Sequence, residues 1–182
     1  MSEYWKIKTL IVDPAGYSRD LLRGILIALG VVDTLNMPNC AKALSALQAH
    51  HRDVVFCDER AGNCAEFMKV LRRDVGTRNI TVPVFLISAG VQEEQILVAR
   101  DAGMNGVIVK PVSVATVKRK LSATLKTPKD FVTTKAFIGP DRRTGREDRR
   151  IAGDRLGFED RRVRTQPAEI FPVPPTLRPK DD

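Results

Sequence analysis

Four short apolar runs, each ending in a reactive side chain, constrain this chain more than any other feature it carries. Asp53-Val54-Val55-Phe56-Cys57 runs into Asp58, and Thr9-Leu10-Ile11-Val12 ends at Asp13. Val82-Pro83-Val84-Phe85-Leu86-Ile87 ends at Ser88, and Gly106-Val107-Ile108-Val109 ends at Lys110-Pro111. Such runs suit strands covered on both faces, and helical patterns separate them, which predicts an α/β chain with a parallel sheet. The carboxyl ends of parallel strands share one edge, so the four polar groups are expected to meet in one crevice. Two carboxylates, a hydroxyl and an ammonium suit phosphoryl transfer onto a carboxylate.

The segments between the runs supply the helices. Leu21, Leu22, Ile25, Leu26 and Leu29 recur at helical spacing from Tyr17 or Ser18 to Leu29, with Gly30 as C-cap. Val31 to Leu35 reads as a short edge strand. A helix over Ala41 to Ala49 follows, with Asn39 as N-cap and Leu44 and Leu47 inward. A third helix runs from about Asn63 to Arg73 with Phe67, Val70 and Leu71 inward. A fourth, from about Gln92 to Ala102, packs Ile96, Leu97 and Ala99. Gly103-Met104-Asn105-Gly106 is a tight turn, and a fifth helix spans Val114 to Leu125 with Ser113 capping its start.

Composition narrows the function. No apolar run reaches membrane-spanning length, and the start, Met1-Ser-Glu-Tyr-Trp-Lys, has no secretory pattern, so a cytoplasmic chain without a membrane span is expected. Cys40, Cys57 and Cys64 lack metal-ligand spacing and read as free thiols, Cys57 as a small buried hydrophobe. His50 and His51 sit in a polar connection with no acid-base partner in view. The formal charge of +8 invites a nucleic-acid reading. Residues 141–164, however, carry nine Arg against six acids, and no nucleic-acid module follows residue 125, so nucleic acid ranks low.

The four strand-end groups, in order and spacing, make residues 5–125 resemble a response-regulator receiver domain of the CheY-like kind. The resemblance implies a flavodoxin-like doubly wound five-stranded parallel sheet of order 2-1-3-4-5. It implies Asp58 as phosphoacceptor, Ser88 and Lys110 contacting the phosphoryl group, and Mg²⁺ held by Asp13, Asp58 and the Arg60 backbone carbonyl. A histidine kinase or phosphotransfer protein would be the donor and a downstream protein the target. The chain would be no enzyme beyond promoting its own phosphorylation.

Three departures stand out. Pro14 follows Asp13 where the family usually has a second acid, which predicts weaker Mg²⁺ binding, or slow or absent phosphorylation. Val107 replaces the aromatic residue that usually rotates inward, removing that read-out. Arg60-Ala61-Gly62 stands where many receivers have Met-Pro, a change expected to affect the loop more than the chemistry.

Residues 126–136 read as a polar linker, 137–165 as an arginine-rich segment and 166–182 as a Pro-rich, extended or disordered end, together a largely disordered tail. Asp-Arg-Arg occurs at 141–143, 148–150 and 160–162. Paired guanidinium forks can grip phosphate or guanine O6 and N7, and an Asp can accept from guanine N–H groups. Such a pattern fits a ligand carrying both guanine and phosphate. Residues 137–165 resemble the arginine-rich segment of CheY-like proteins that bind cyclic di-GMP, a group associated with flagellar motor and surface-attachment control. That resemblance implies Arg142, Arg143, Asp148, Arg149, Arg150, Asp160, Arg161 and Arg162 as contacts. The alternatives are a phosphorylation-only shuttle or sink with an inert tail, and a nucleic-acid-binding regulator.

Overall fold

The five strands form one parallel sheet: β1 (Lys8–Val12), β2 (Asp33–Met37), β3 (Val54–Asp58), β4 (Val84–Ser88) and β5 (Gly106–Val109), in the order β2-β1-β3-β4-β5. The computed structural model describes residues 4–73, 79–90, 93–126, 129–133, 137–141 and 169–171. Crossover helices are α1 (Gly16–Ala28), α2 (Cys40–Ala49), α3 (Cys64–Arg73), α4 (Glu93–Asp101) and α5 (Val114–Lys126). Alternation along each strand divides the core between the two faces. Leu10, Val12, Val55, Cys57, Val84 and Leu86 pack on the side of α2 and α3 residues such as Leu47, Phe67 and Met68. Ile11, Val54, Phe56, Phe85, Ile87 and Ile108 pack against Leu22, Leu26, Val117 and Leu121 of α1 and α5.

Local chemistry sets the helix ends. Asn39 Oδ1 accepts from the Lys42 N–H at 2.9 Å, and Ser113 Oγ accepts from the Thr116 N–H at 3.2 Å, so both expected caps are formed. Gly30 takes φ +94° just past α1, where the Val31 N–H returns to the Leu26 carbonyl. That return keeps Val31 in the turn, and the edge strand starts two residues later than expected, with Lys8 opposite Asp33. The Asp33 carboxylate is held 2.6 Å from Arg52 Nη1.

Several side chains expected inward point out. Leu21 is exposed because the buried stripe of α1 is Leu22, Ile25, Leu26 and Leu29, and Leu21 lies one helical step of about 100° round from Leu22. Val70 is displaced in the same way from Leu71, and α3 buries Met68 and Arg72 instead. On α4, Ile96 and Leu97 stay exposed, and Ala99 makes the close approach to the core.

The stretch expected as a linker contains a strand. β6 (Phe131–Thr133) pairs antiparallel with β7 (Ile138–Pro140) on one side and with β8 (Glu169–Phe171) on the other. Phe131 is buried under the guanidinium of Arg72, whose carbon lies 4.8 Å from the ring centre. Arg72 itself is fully buried and donates to the carbonyls of Ile80, Val82 and Gly103 at 2.7, 2.8 and 3.3 Å. Burial without a carboxylate pulls its pKa down to about 9. Residues 142–168 and 172–182, with Arg142, Arg143, Asp148, Arg149, Arg150, Asp160, Arg161 and Arg162, lie outside the described residues.

Candidate functional site

Parallel register carries Asp58 to the end of the central strand, with Ile87 opposite it and Val12, the residue before Asp13, one rung back beside Cys57. Asp13 and Asp58 are both almost fully enclosed. Lys110, at the end of β5 and joined to Pro111 by a cis peptide bond, reaches across to place Nζ 2.5 Å from Asp58 Oδ2 and 3.9 Å from Asp13 Oδ2. Three of the four strand-end groups therefore meet as the sequence pattern requires.

A 3₁₀ turn over Glu59–Ala61 follows, and Asp58 caps it by accepting from the Arg60 N–H at 2.9 Å. The turn also sends the Arg60 side chain back over the crevice. Its Nε lies 3.0 Å from Asp58 Oδ1, and Nη2 lies 3.9 Å from Asp13 Oδ1. The expectation that Arg60 would affect the loop more than the chemistry is thus corrected: its guanidinium forms part of the charge balance around both carboxylates.

Ser88 sits at the same sheet edge but is engaged elsewhere. Its Oγ is 2.6 Å from Glu59 Oε2 and 2.7 Å from the Gly90 carbonyl, so one hydroxyl proton is shared between two acceptors. Glu59 Oε1 also accepts from the Ala89 N–H at 2.7 Å, so this carboxylate bridges β3 and β4 above the strand ends. Glu59 was not singled out from sequence, and an acid following another acid in a turn gives no directional signal.

Burial opposes ionisation of Asp58, but the Lys110 hydrogen bond and the Arg60 backbone and side-chain donors outweigh it and hold its carboxyl below the ordinary range. Asp13 moves the other way. Burial raises it, against the Ala15 N–H that donates to Oδ1, and the neighbouring Asp58 charge raises it further. The pair thus has an ionised member and a more easily protonated one.

The donor set suits Mg²⁺, which takes one or two carboxylates and completes its shell with water. Asp13 and Asp58 supply the carboxylate oxygens, and each carboxylate has lone pairs beyond those engaged here. Pro14 adds no side-chain oxygen, and the Arg60 guanidinium must withdraw for the ion to lie between the two acids.

Sequence reasoning also missed a second convergence. Cys40 Sγ and Cys57 Sγ are 4.0 Å apart, Cys57 Sγ and Cys64 Sγ are 3.7 Å apart, and Cys64 Sγ is 3.4 Å from the Asp58 carbonyl oxygen. Hydrogen bonds from Cys57 and Cys64 depress the Cys40 pKa, while those two thiols are raised.

A family model described as "Response regulator receiver domain" matches residues 9–122. The chain belongs to the receiver family. Chemotaxis protein CheY-3 of Vibrio cholerae is 34% identical over 117 residues, covering 63% of this receiver chain and 88% of that protein. Chemotaxis protein CheY of Pseudomonas aeruginosa is 27% identical over the same length, covering 93% of that protein. Among solved structures, the chemotaxis response regulator CheY4 of V. cholerae superposes with a TM-score of 0.59 at 22% identity, over 65% of this chain and 98% of its own. The receiver domain of a sensor histidine kinase from P. aeruginosa, with a magnesium ion coordinated in its active-site cleft, gives 0.56 at 19% identity, over 64% and 94%. The receiver thus occupies about two thirds of the chain, and the β6–β8 sheet lies beyond the matched residues. Among the described residues no helix is long and apolar enough to cross a membrane.

Proposed function

We propose that this receiver accepts a phosphoryl group on Asp58 from the phosphohistidine of a histidine kinase or phosphotransfer protein in the cytoplasm. The observation that carries the proposal is the buried Asp58 carboxylate with Lys110 Nζ 2.5 Å from Oδ2 at the crevice of the sheet. Lys110 and Arg60 keep the carboxylate deprotonated and therefore nucleophilic. An Asp58 oxygen forms the new bond to phosphorus as the nitrogen–phosphorus bond of the donor breaks, and the imidazole retains the bonding electron pair. Lys110 stays with the phosphoryl oxygens, and Ser88 reorients from Glu59 to donate to one of them. Asp13, Asp58 and the Arg60 carbonyl would hold Mg²⁺, which supplies positive charge to the equatorial oxygens. The receiver catalyses, at most, its own phosphorylation from the donor.

The same proposal gives the segment after Pro140 a ligand, cyclic di-GMP, bound by the Asp-Arg-Arg copies through Arg142, Arg143, Asp148, Arg149, Arg150, Asp160, Arg161 and Arg162. The repetition of paired forks beside an acid supports it. Ligand occupancy would then bias how the receiver face meets its protein target, of which the flagellar motor is the candidate.

Incubation with acetyl phosphate or a phosphorylated donor, with and without Mg²⁺, tests the receiver half. An acid-labile phosphoryl group lost in Asp58→Asn supports it, and no incorporation at any Mg²⁺ concentration sinks it. Calorimetric titration with cyclic di-GMP tests the other half. Binding that disappears when the three Arg pairs become Ala, and survives Asp58→Asn, supports it. Steeply salt-dependent binding to any nucleic acid, with no preference for guanine dinucleotides, supports the nucleic-acid alternative instead.

A further inference from the structure

Three cysteines that are far apart in sequence converge at one point of the fold. Cys40 is the first residue of α2, Cys64 the first residue of α3, and Cys57 lies on β3 between them. Their sulfurs all lie within 4.8 Å of one another. A disulfide would need its sulfurs at about 2.05 Å and would leave the third thiol aside. Three sulfurs around one tetrahedral zinc ion, with zinc–sulfur bonds of about 2.3 Å, lie about 3.8 Å apart. The Cys57–Cys64 and Cys40–Cys57 separations of 3.7 and 4.0 Å bracket that value.

The surroundings match such an ion in charge and access. Three thiolates and a divalent cation leave one negative charge. The N-termini of α2 and α3 each present the equivalent of about half a positive charge to the sulfur on their first residue. Cys57 is fully buried and Cys40 nearly so, which shields the bonds from water. Cys64 is only partly buried and faces a cavity of about 390 Å³ that also touches Gly62, Asn63, Leu86 and Met104. Water entering there can take the fourth position, since the described residues add no further His, Cys, Asp or Glu side chain to the group. Gly62, at φ +131°, lets the loop after Asp58 lie against Cys40, whose Sγ is 3.7 Å from the place a Cβ would take.

We propose that Cys40, Cys57 and Cys64 form a three-thiolate site for a divalent thiophilic cation, zinc in the first instance, with water as the fourth ligand. The soft sulfur donors separate it from the hard carboxylate crevice above β3, where Mg²⁺ is the fitting ion. Binding releases the thiol protons and joins α2, β3 and α3 through a single atom, tightening the loop that carries Glu59 and Arg60.

Cobalt(II) and zinc(II) titration of the full, reduced chain tests this. The expected result is one equivalent of cobalt giving the thiolate-to-cobalt charge-transfer and ligand-field bands of a tetrahedral site. Zinc should bleach those bands and raise the thermal transition. A cation held by Asp13 and Asp58 gives no thiolate band, so the two sites are distinguished. Cys64→Ser and Cys64→Ala, at the partly exposed position, should keep the melting temperature of the metal-free parent, lose the band and bind zinc at least about tenfold more weakly. Absence of the band in the parent, or its persistence in both variants, overturns the proposal. So does a parent chain that excludes cobalt yet loses two hydrogens on mild oxidation, which would make the cluster a dithiol–disulfide pair.

Discussion

At the scale of single residues, the acid crevice is a balance of two carboxylates against two cations contributed by the chain itself. Arg60 occupies, with its side chain, space that a metal ion between Asp13 and Asp58 would need. Arg60→Ala is therefore expected to tighten Mg²⁺ binding by about two- to fivefold, because it removes an exposed guanidinium that competes for the two carboxylates. Fluorescence or calorimetric Mg²⁺ titration checks this, and an unchanged affinity would remove Arg60 as a competitor. Asp13 and Asp58 pull stability in opposite directions as pH changes. Asp58, with its folded pKa lowered, contributes stability above its unfolded pKa of about 3.9, and this is lost as pH falls through the folded value. Asp13, with its folded pKa raised, binds its proton more tightly when folded, so stability falls as pH rises from about 3.9 through its raised value. Asp13→Asn should raise the melting temperature by a few degrees at neutral pH, with the gain vanishing on acidification, while phosphoryl acceptance drops. Thermal melts across the carboxylate range measure both signs. Asp13, Asp58 and Lys110 were legible in the sequence because buried runs fix where a strand ends. Arg60 and Glu59 were not, because the direction of a side chain on a 3₁₀ turn leaves no periodic trace. Cys40, Cys57 and Cys64 were missed because whole elements separate them.

Among the elements, those with long apolar patterns were the readable ones. β1, β3 and β4 follow from runs of four or more buried residues and β5 from its apolar run, whereas the edge strand β2 has only partly buried residues; the helices follow from stripes such as Leu22, Ile25, Leu26 and Leu29. Errors fell one position round a helix, at Leu21 and Val70, and on α4, where a short helix rests on Ala99 and leaves Ile96 and Leu97 at its rim. The β6–β7–β8 sheet was missed because three-residue strands carry too little alternation to register. Its attachment depends on small residues. A Cβ on Gly103 would lie 2.5 Å from the Ile138 carbonyl oxygen, and the residue has φ +88°. Gly103→Ala combines that overlap with a backbone conformation that costs an L-residue roughly 1–2 kcal/mol. It is expected to loosen β7 from the α4–β5 turn, with faster hydrogen exchange at Val132 and Gly139 and little change in β1 or β3. Uniform exchange across the whole receiver would instead mean that the added methyl unsettles the entire fold.

For the molecule as a whole, the segment beyond the receiver is anchored at two places. β7 and β8 flank the same strand, and truncation after Asp141 would strip β6 of one neighbour and leave an unpaired edge. Such a chain should exchange its β6 amides faster and aggregate more readily than one ending after Phe171, as mass spectrometry and light scattering would record. The two flanking strands also set how the arginine-rich stretch joins the rest of the chain. Strands in a sheet are about 4.8 Å apart, so β7 and β8 sit about 10 Å from each other across β6. Pro140 stands opposite Phe131 and Glu169 opposite Thr133, so the strand leading into the arginine-rich stretch and the strand leading out of it run parallel on either side of β6. A pull on the stretch between β7 and β8 would therefore load both edges of β6 at once.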